Sequence, residues 1–254
     1  VQRAHLQGVT TLALTDHDTV AGLAEAHISA VAAGIKLVNG IELSANWKSH
    51  CFHIVGLGID PTYAPLLLSL DDMQQTRNQR AAKIADKLAK KHIPGALEYV
   101  QQKAGDGMVT RTHFADFLVS QHHVDTQQEA FDRYLASGKP AYMATVWAEL
   151  DLAVNWITQS GGIAVLAHPL RYKLTPKCMQ RLLTAFKQAG GQGIEVITGR
   201  CNTDEIKLAA KYASNFELAG SVGSDFHNPN NQWVELGRLA PLPANIKPVW
   251  ELFG

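Results

Sequence analysis

The chain has 254 residues, 46% hydrophobic and 18% charged, with 23 Lys+Arg against 23 Asp+Glu. That apolar share excludes a disordered chain, and 20 Gly and 10 Pro without a repeat exclude collagen-like and low-complexity classes. A balanced charge argues against coating nucleic acid or an anionic membrane by bulk electrostatics, and leaves only a local basic patch open.

Apolar β-rich runs alternate with helical patterns, which predicts an α/β fold with a mainly parallel sheet or barrel. The first strand, residues 10–15, closes on Asp16-His17-Asp18-Thr19. A helix is predicted over about 20–33, with Gly34 just past its end and Asp18 fitting as its N-cap. Two β runs follow at 36–38 and 40–43, then another at 53–57. Between Pro65 and Pro140 strands are hard to find. Residues 72–92 are helical, with Ala81, Ile84, Ala85 and Leu88 on one face. Shorter helices follow, one of them around 112–120. The strand–helix rhythm resumes at Thr145. A helix runs to about Ser160 with Leu150, Val154 and Ile157 inward, and the strand 163–167 ends at His168-Pro169. Thr175-Pro176 caps a helix with Met179, Leu182, Leu183 and Phe186 inward. A strand at 193–198 contains Glu195, a helix covers about 204–213, and the last strand, 218–223, ends at Ser224-Asp225-Phe226-His227. The expected domains are residues 1–68 and 141–254 as two parts of a barrel, with 69–140 as a helical insertion.

Eleven His is a high count, and their placement matters more than their number. Asp16, His17, Glu42, His168, Asp225 and His227 fall at successive strand ends. In a β/α barrel those ends converge on one mouth, where active sites sit. His53 opens its own strand, so it reaches the same mouth only if that strand runs antiparallel. A single His or Asp at a strand end is more often a cap or turn residue. Several together would be costly to bury uncompensated, and a cation compensates them. Imidazole and carboxylate are the donors that divalent transition metals take, and such ions bind phosphate and activate water. His5, His27, His92, His122 and His123 lack this placement and read as surface or helix residues. Glu195 points either to the mouth or to a partner.

These residues resemble successive motifs of the PHP (polymerase and histidinol phosphatase) superfamily: Thr15-Asp16-His17-Asp18-Thr19, Gly40-Ile41-Glu42, His53, Ala167-His168-Pro169 and Ser224-Asp225-Phe226-His227. With the helical insertion and Arg111-Thr112-His113-Phe114, the nearest likeness is to its TrpH/YciV-type branch. The resemblance implies a distorted (β/α)7 PHP barrel and a cytoplasmic phosphoesterase. Its substrates would be 3′,5′-nucleoside bisphosphates and short RNA 5′ ends, cut through a metal-bridging hydroxide. It also implies up to three divalent ions, manganese first, with zinc, iron and magnesium as alternatives. By the match, Glu42 bridges two ions. One of these also takes His53 and His168, the other takes Asp225, and a third takes His17 and His227. His168, Asp225 and His227 would also serve catalysis. The family opens with an Asp-x-His-x-His strand that this chain does not contain, so the first barrel strand is expected to lie upstream of Val1.

On the substrate side, the helix with Arg77, Asn78 and Arg80, the motif Arg111-Thr112-His113, and Arg200 are the candidate phosphate and nucleotide contacts. Guanidinium forks match phosphate oxygens bidentately. Lys87, Lys90 and Lys91 read as a solvated face. Three widely spaced Cys fit a reducing compartment rather than a disulfide framework. No run approaches the roughly 20 apolar residues of a membrane span, and neither a membrane nor an obligate protein partner is implied. Three other readings stay open. One is a histidinol-phosphate or general phosphomonoesterase, one a degenerate non-catalytic PHP domain, and one a metal-dependent deaminase or amidohydrolase barrel.

Overall fold

The computed structural model describes residues 1–253 except 106, 228 and 230–232. The chain divides into two compact units, one of residues 1–67 with 147–254, the other of residues 68–146.

The first unit begins with α1 (Gln2–Leu6), β1 (Thr11–Leu14), α2 (Leu23–Ala33), β2 (Lys36–Trp47) and β3 (His50–Leu57). α2 ends where Gly34 takes φ +68°, a left-handed turn that glycine enters without Cβ strain. The β runs expected at 36–38 and 40–43 are one strand of 12 residues, so Glu42 lies within β2 and not at its end. Gly40 makes that continuity possible. A Cβ there would sit 2.7 Å from the Leu14 carbonyl oxygen, where β1 pairs closely with β2.

The second unit is helical, as the sequence pattern predicts. It holds most of α3 (Ala64–Ala89), then α4 (Ala96–Ala104), α5 (Arg111–Ser120), α6 (Gln127–Ala130) and a π turn at Phe131–Leu135. α3 starts eight residues before the expected Asp72, because Pro65 suits a first helical turn and need not break one. Ala81, Ile84 and Leu88 meet Phe114, Phe117 and Leu118 in its core.

The chain re-enters the first unit with β4 (Ala148–Glu149), α7 (Leu150–Gln159), β5 (Ile163–Leu166), α8 (Pro176–Gln188), β6 (Gly193–Thr198), α9 (Thr203–Asn215) and β7 (Ala219–Gly223). Thr175 caps α8 by accepting the Cys178 N–H, with Pro176 at the first position. The sheet order is β1-β2-β3-β5-β6-β7, with β4 beside β2. β3 runs antiparallel to both β2 and β5, while the other ladders are parallel. The result is a curled, half-barrel sheet: among the described residues no ladder joins β1 to β7.

Alternation along the strands sorts the two faces. Ile41, Leu43, Phe52 and Ile54, all fully buried, lie at the odd positions of β2 and the even positions of β3. Glu42, Ser44, His53 and Val55 fill the opposite face, which continues into the apolar layer of Val55, Val165, Ala167 and Ala219. No helix of the described residues is long and apolar enough to cross a membrane.

The loop after β1 is tied down by Asp18. It does not cap α2, whose N-cap is Gly22. Its fully buried carboxylate instead accepts the Ser44 N–H at 2.6 Å and the Ser44 hydroxyl at 2.9 Å. Removing that acceptor leaves two buried donors without it. Asp18→Ala is therefore expected to lower unfolding free energy by about 2–3 kcal/mol in a denaturant titration. A loss below about 0.5 kcal/mol would contradict the role.

Candidate metal centre

The site forms where β2, β3 and the ends of β1, β5 and β7 meet. β1 feeds into a short parallel bridge between His17 and Glu42, in which Glu42 N–H donates to the Asp16 carbonyl and Asp18 N–H to the Glu42 carbonyl. Glu42 is thus gripped by backbone on both sides. Across the β2–β3 ladder Ser44 faces His53, which puts His53 diagonal to Glu42 on the same face. The antiparallel course of β3 brings His53 to this end of the sheet, which meets the condition that the sequence sets. Ala167 N–H donates to the His53 carbonyl, and His168 follows at once.

His168 has a left-handed backbone, φ +30°, and caps a 3-10 turn at Pro169–Tyr172. Two contacts hold it there. Its N–H donates to Glu195 at 2.5 Å, and the Tyr172 ring lies 5.2 Å from its own. Tyr172 also fixes β3, its hydroxyl accepting the His53 N–H at 2.8 Å. Nothing in the sequence marks Tyr172 beyond its place four residues after His168.

The side chains converge on Glu42. Its Oε1 lies 3.0 Å from His53 Nδ1 and 3.1 Å from His168 Nε2, and those two nitrogens are 3.3 Å apart. Its Oε2 faces His17 Nδ1 at 3.8 Å. His17 stands edge-on to His53, with ring centroids 4.7 Å apart, and 5.7 Å from His227. Donors about 2.1 Å from a tetrahedral ion lie about 3.4 Å from one another, so the triangle of Glu42, His53 and His168 has the right dimensions for one ion. Glu42, with one oxygen toward this triangle and one toward His17, is oriented as a bridging carboxylate. The donor set, imidazoles with a carboxylate, suits manganese, zinc or iron.

The electrostatics show a carboxylate that depends on cationic neighbours, and a bound ion would have to displace the proton that His53 holds. Burial alone would raise the pKa of Glu42, but hydrogen bonds with His168 and His53 and the charges of His17 and His53 hold it well below the usual carboxylate range. Burial lowers His53, yet hydrogen bonds to Cys51 and Glu42 outweigh it and push it up to about 10. Asp16, only partly covered, is raised by desolvation against the opposing charge of His227. Its backbone carbonyl, not its carboxylate, is the group that holds Glu42.

Asp225 and His227 form the far side. Asp225 has φ +52°, and its carboxylate pairs with the Arg171 guanidinium. His227 Nδ1 lies 2.9 Å from the Asp225 carbonyl and 3.4 Å from Asp225 Oδ1. Arg171 carries no signal in the sequence, and its partner lies 54 residues away.

The substrate-side candidates divide between the units. In the second, Arg77 is buried on α3, Asn78 exposed and Arg80 half-buried. Arg111 opens α5 with its guanidinium 6.0 Å from the Phe131 ring centroid, followed by the exposed Thr112. His113 is engaged in the cap of α5, where Nδ1 accepts the Thr110 N–H, and burial lowers its pKa, which keeps it a neutral acceptor. Lys87 donates to the Tyr142 carbonyl at 2.6 Å. In the first unit, Arg200 follows the end of β6 and lies 5.9 Å from the Trp233 ring.

Glu195 turns inward. Burial raises its carboxyl to about 8 despite the His168 N–H. Its pKa in the unfolded chain is near 4.5, so folding becomes less favourable as pH rises from about 4.5 to 8. Glu195→Gln keeps an acceptor and cannot ionise. In protein stripped of metal, the variant should gain stability over the parent across that window, on the order of 3 kcal/mol by pH 8, in denaturant titrations at several pH values. Parallel pH profiles for the two proteins would contradict the assignment.

Comparison with known proteins follows the same lines. The chain is 44% identical over 253 residues to the 5′-3′ exoribonuclease of Haemophilus influenzae, across 100% of this chain and 92% of that protein. It is 40% identical over 251 residues to the 3′,5′-nucleoside bisphosphate phosphatase of Chromobacterium violaceum, across 98% of this chain and 88% of that protein. Among solved structures, an amidohydrolase from Chromobacterium violaceum with bound sulfate and no metal superposes with a TM-score of 0.94 at 40% identity, over 99% of this chain and 88% of that one. No family model matches the sequence.

Proposed function

We propose that this chain, which belongs to the family of the Haemophilus influenzae 5′-3′ exoribonuclease and the Chromobacterium violaceum 3′,5′-nucleoside bisphosphate phosphatase, is a metal-dependent phosphoesterase of the PHP type. Its substrates in this reading are 3′,5′-nucleoside bisphosphates, from which it removes the 3′-phosphate, and short RNAs with a 5′-phosphate. The observation that carries the reading is the Glu42 triangle with His53 and His168.

Glu42 Oε1, His53 and His168 would hold one divalent ion, and Glu42 Oε2 with His17 would contribute to a second. Asp225 and His227 are the further candidate ligands. Manganese is the ion we infer. When bound, such ions neutralise phosphate oxygens and make water a nucleophile near neutral pH. The protein's own groups do the rest. Arg77, Arg80 and Arg111 grip the substrate's 5′-phosphate through their forked N–H donors, with Asn78 and Thr112 as polar neighbours and Arg200 as a further phosphate contact. His227 donates from Nδ1 to the Asp225 carbonyl, which fixes its ring. With Nδ1 so engaged, Nε2 is the atom left either to bind an ion or, unligated and protonated, to return a proton to the leaving 3′-oxygen. Glu195 positions His168 through the backbone N–H and touches no substrate. Three free cysteines suit the reducing cytoplasm in which we place the enzyme.

The competing specificity is histidinol phosphate or phosphomonoesters at large. A phosphate-release assay with Mn²⁺ separates the two: the reading predicts turnover of adenosine 3′,5′-bisphosphate well above that of histidinol phosphate, and the reverse order would overturn it. His168→Ala should lower bound metal and cut turnover by more than about 100-fold, beyond what loss of an outer partner costs. Arg111→Ala should lower kcat/KM about 10- to 100-fold on substrates with a 5′-phosphate. An equal loss on substrates lacking that phosphate would remove Arg111 from the positioning role.

A further inference from the structure

Beside the metal centre, the chain after β5 and the end of β6 enclose a cavity of about 290 Å³ whose lining includes Arg171, Lys173, Thr198 and Arg200. Two of its lining residues belong equally to the centre. Glu195 lines it and accepts the His168 N–H. Arg171 lines it and pairs with Asp225. Three cationic side chains therefore share one hollow that abuts the metal ligands. Two acids share the lining with them: Glu195, turned to the His168 N–H, and Glu205, whose carboxylate accepts the Asn202 N–H in the cap of α9, so the cations outnumber the acids by one. A hollow of that charge takes an anion, and its guanidinium and ammonium donors match phosphate oxygens.

The volume narrows the choice. It lies at the small end of ligand pockets, and none of its described lining residues is an aromatic on which a base could stack. A surface for the base stands at the rim. The Arg200 guanidinium, which lines the cavity, lies 5.9 Å from the Trp233 ring centroid, and Trp233 is 78% exposed. An exposed aromatic face next to a cationic groove is the combination by which proteins hold single-stranded RNA: the ring stacks a base and the cations follow the backbone.

We propose that this cavity and Trp233 bind the second nucleotide of an RNA substrate, its base on Trp233 and the phosphate beyond it on Lys173 and Arg200. The inference rests on the phosphoesterase reading above and deepens it. In the cleavage, water adds to phosphorus, the bond from phosphorus to the first nucleotide's 3′-oxygen breaks, and that oxygen takes the proton. The phosphate remains on the second nucleotide, which this site holds. A mononucleotide bisphosphate has no second nucleotide and makes no use of the site, so the site selects RNA ends over bisphosphates.

The test compares the parent protein with Lys173→Ala, Trp233→Ala and Trp233→Phe. Each is assayed with Mn²⁺ on adenosine 3′,5′-bisphosphate and on a 5′-phosphorylated adenosine trinucleotide. Binding of the labelled trinucleotide is measured separately in EDTA, where turnover is off. Both alanine variants should lose about tenfold or more in kcat/KM and affinity for the trinucleotide, and stay within about twofold of the parent on the bisphosphate. Trp233→Phe should recover most of the loss. Equal losses on both substrates, or no loss on either, would overturn the second-nucleotide site. A parent protein that hydrolyses neither substrate would overturn the phosphoesterase reading instead. Trinucleotide binding that still depends on Lys173 and Trp233 in EDTA would then leave the binding site standing.

Discussion

The structure turns on a carboxylate that sits where carboxylates are expensive to keep. Glu42 is 6% exposed, in the middle of a strand, on a sheet face that it shares with Ser44 and His53 and that continues into Val55, Val165 and Ala167. An ionised carboxylate there requires compensation. Three imidazoles supply it, two on one oxygen and one toward the other. The three come from the β1 loop, from β3 and from the residue after β5, so one compensated charge ties together segments more than 100 residues apart. The same arrangement of lone pairs is what a divalent cation requires.

Holding those imidazoles has a cost in backbone strain. Asp18, His168 and Asp225 all occupy left-handed conformations that residues other than glycine seldom adopt. Each sits in or next to the ligand set, and each is held by a specific partner: Ser44 on the Asp18 carboxylate, Glu195 on the His168 N–H, Arg171 on Asp225. Strain at these three loops lets short strand ends aim their side chains inward, and the partners keep the aim rigid. Glu195 and Tyr172 are therefore part of the site's construction although neither is one of its donors.

Much of this was legible in the sequence because it follows from local rules. Alternation marks β3 and β6, helical spacing marks α7 and α8, and Thr175-Pro176 marks the start of α8. The recurrence of His and acids near strand ends points to one shared cation site. What was not legible depends on contacts between distant segments. Periodicity does not give a strand's direction, so the position of His53 waits on the antiparallel ladders. Asp18 has the composition of an N-cap, and only the approach of Ser44 across the sheet assigns it elsewhere. Glu42 looks terminal because β2 changes partners at Gly40, where the ladder with β1 ends and that with β3 begins. Glu195, Arg171 and Tyr172 act through a backbone N–H, a distant carboxylate and a ring face, and none of these leaves a pattern in the chain.

The most direct measurement is anomalous diffraction from crystals soaked in Mn²⁺, recorded at the manganese edge. The account predicts an anomalous peak in contact with Glu42 Oε1, His53 Nδ1 and His168 Nε2. A soaked protein with no peak there, and with manganese bound only at other carboxylates, would contradict it.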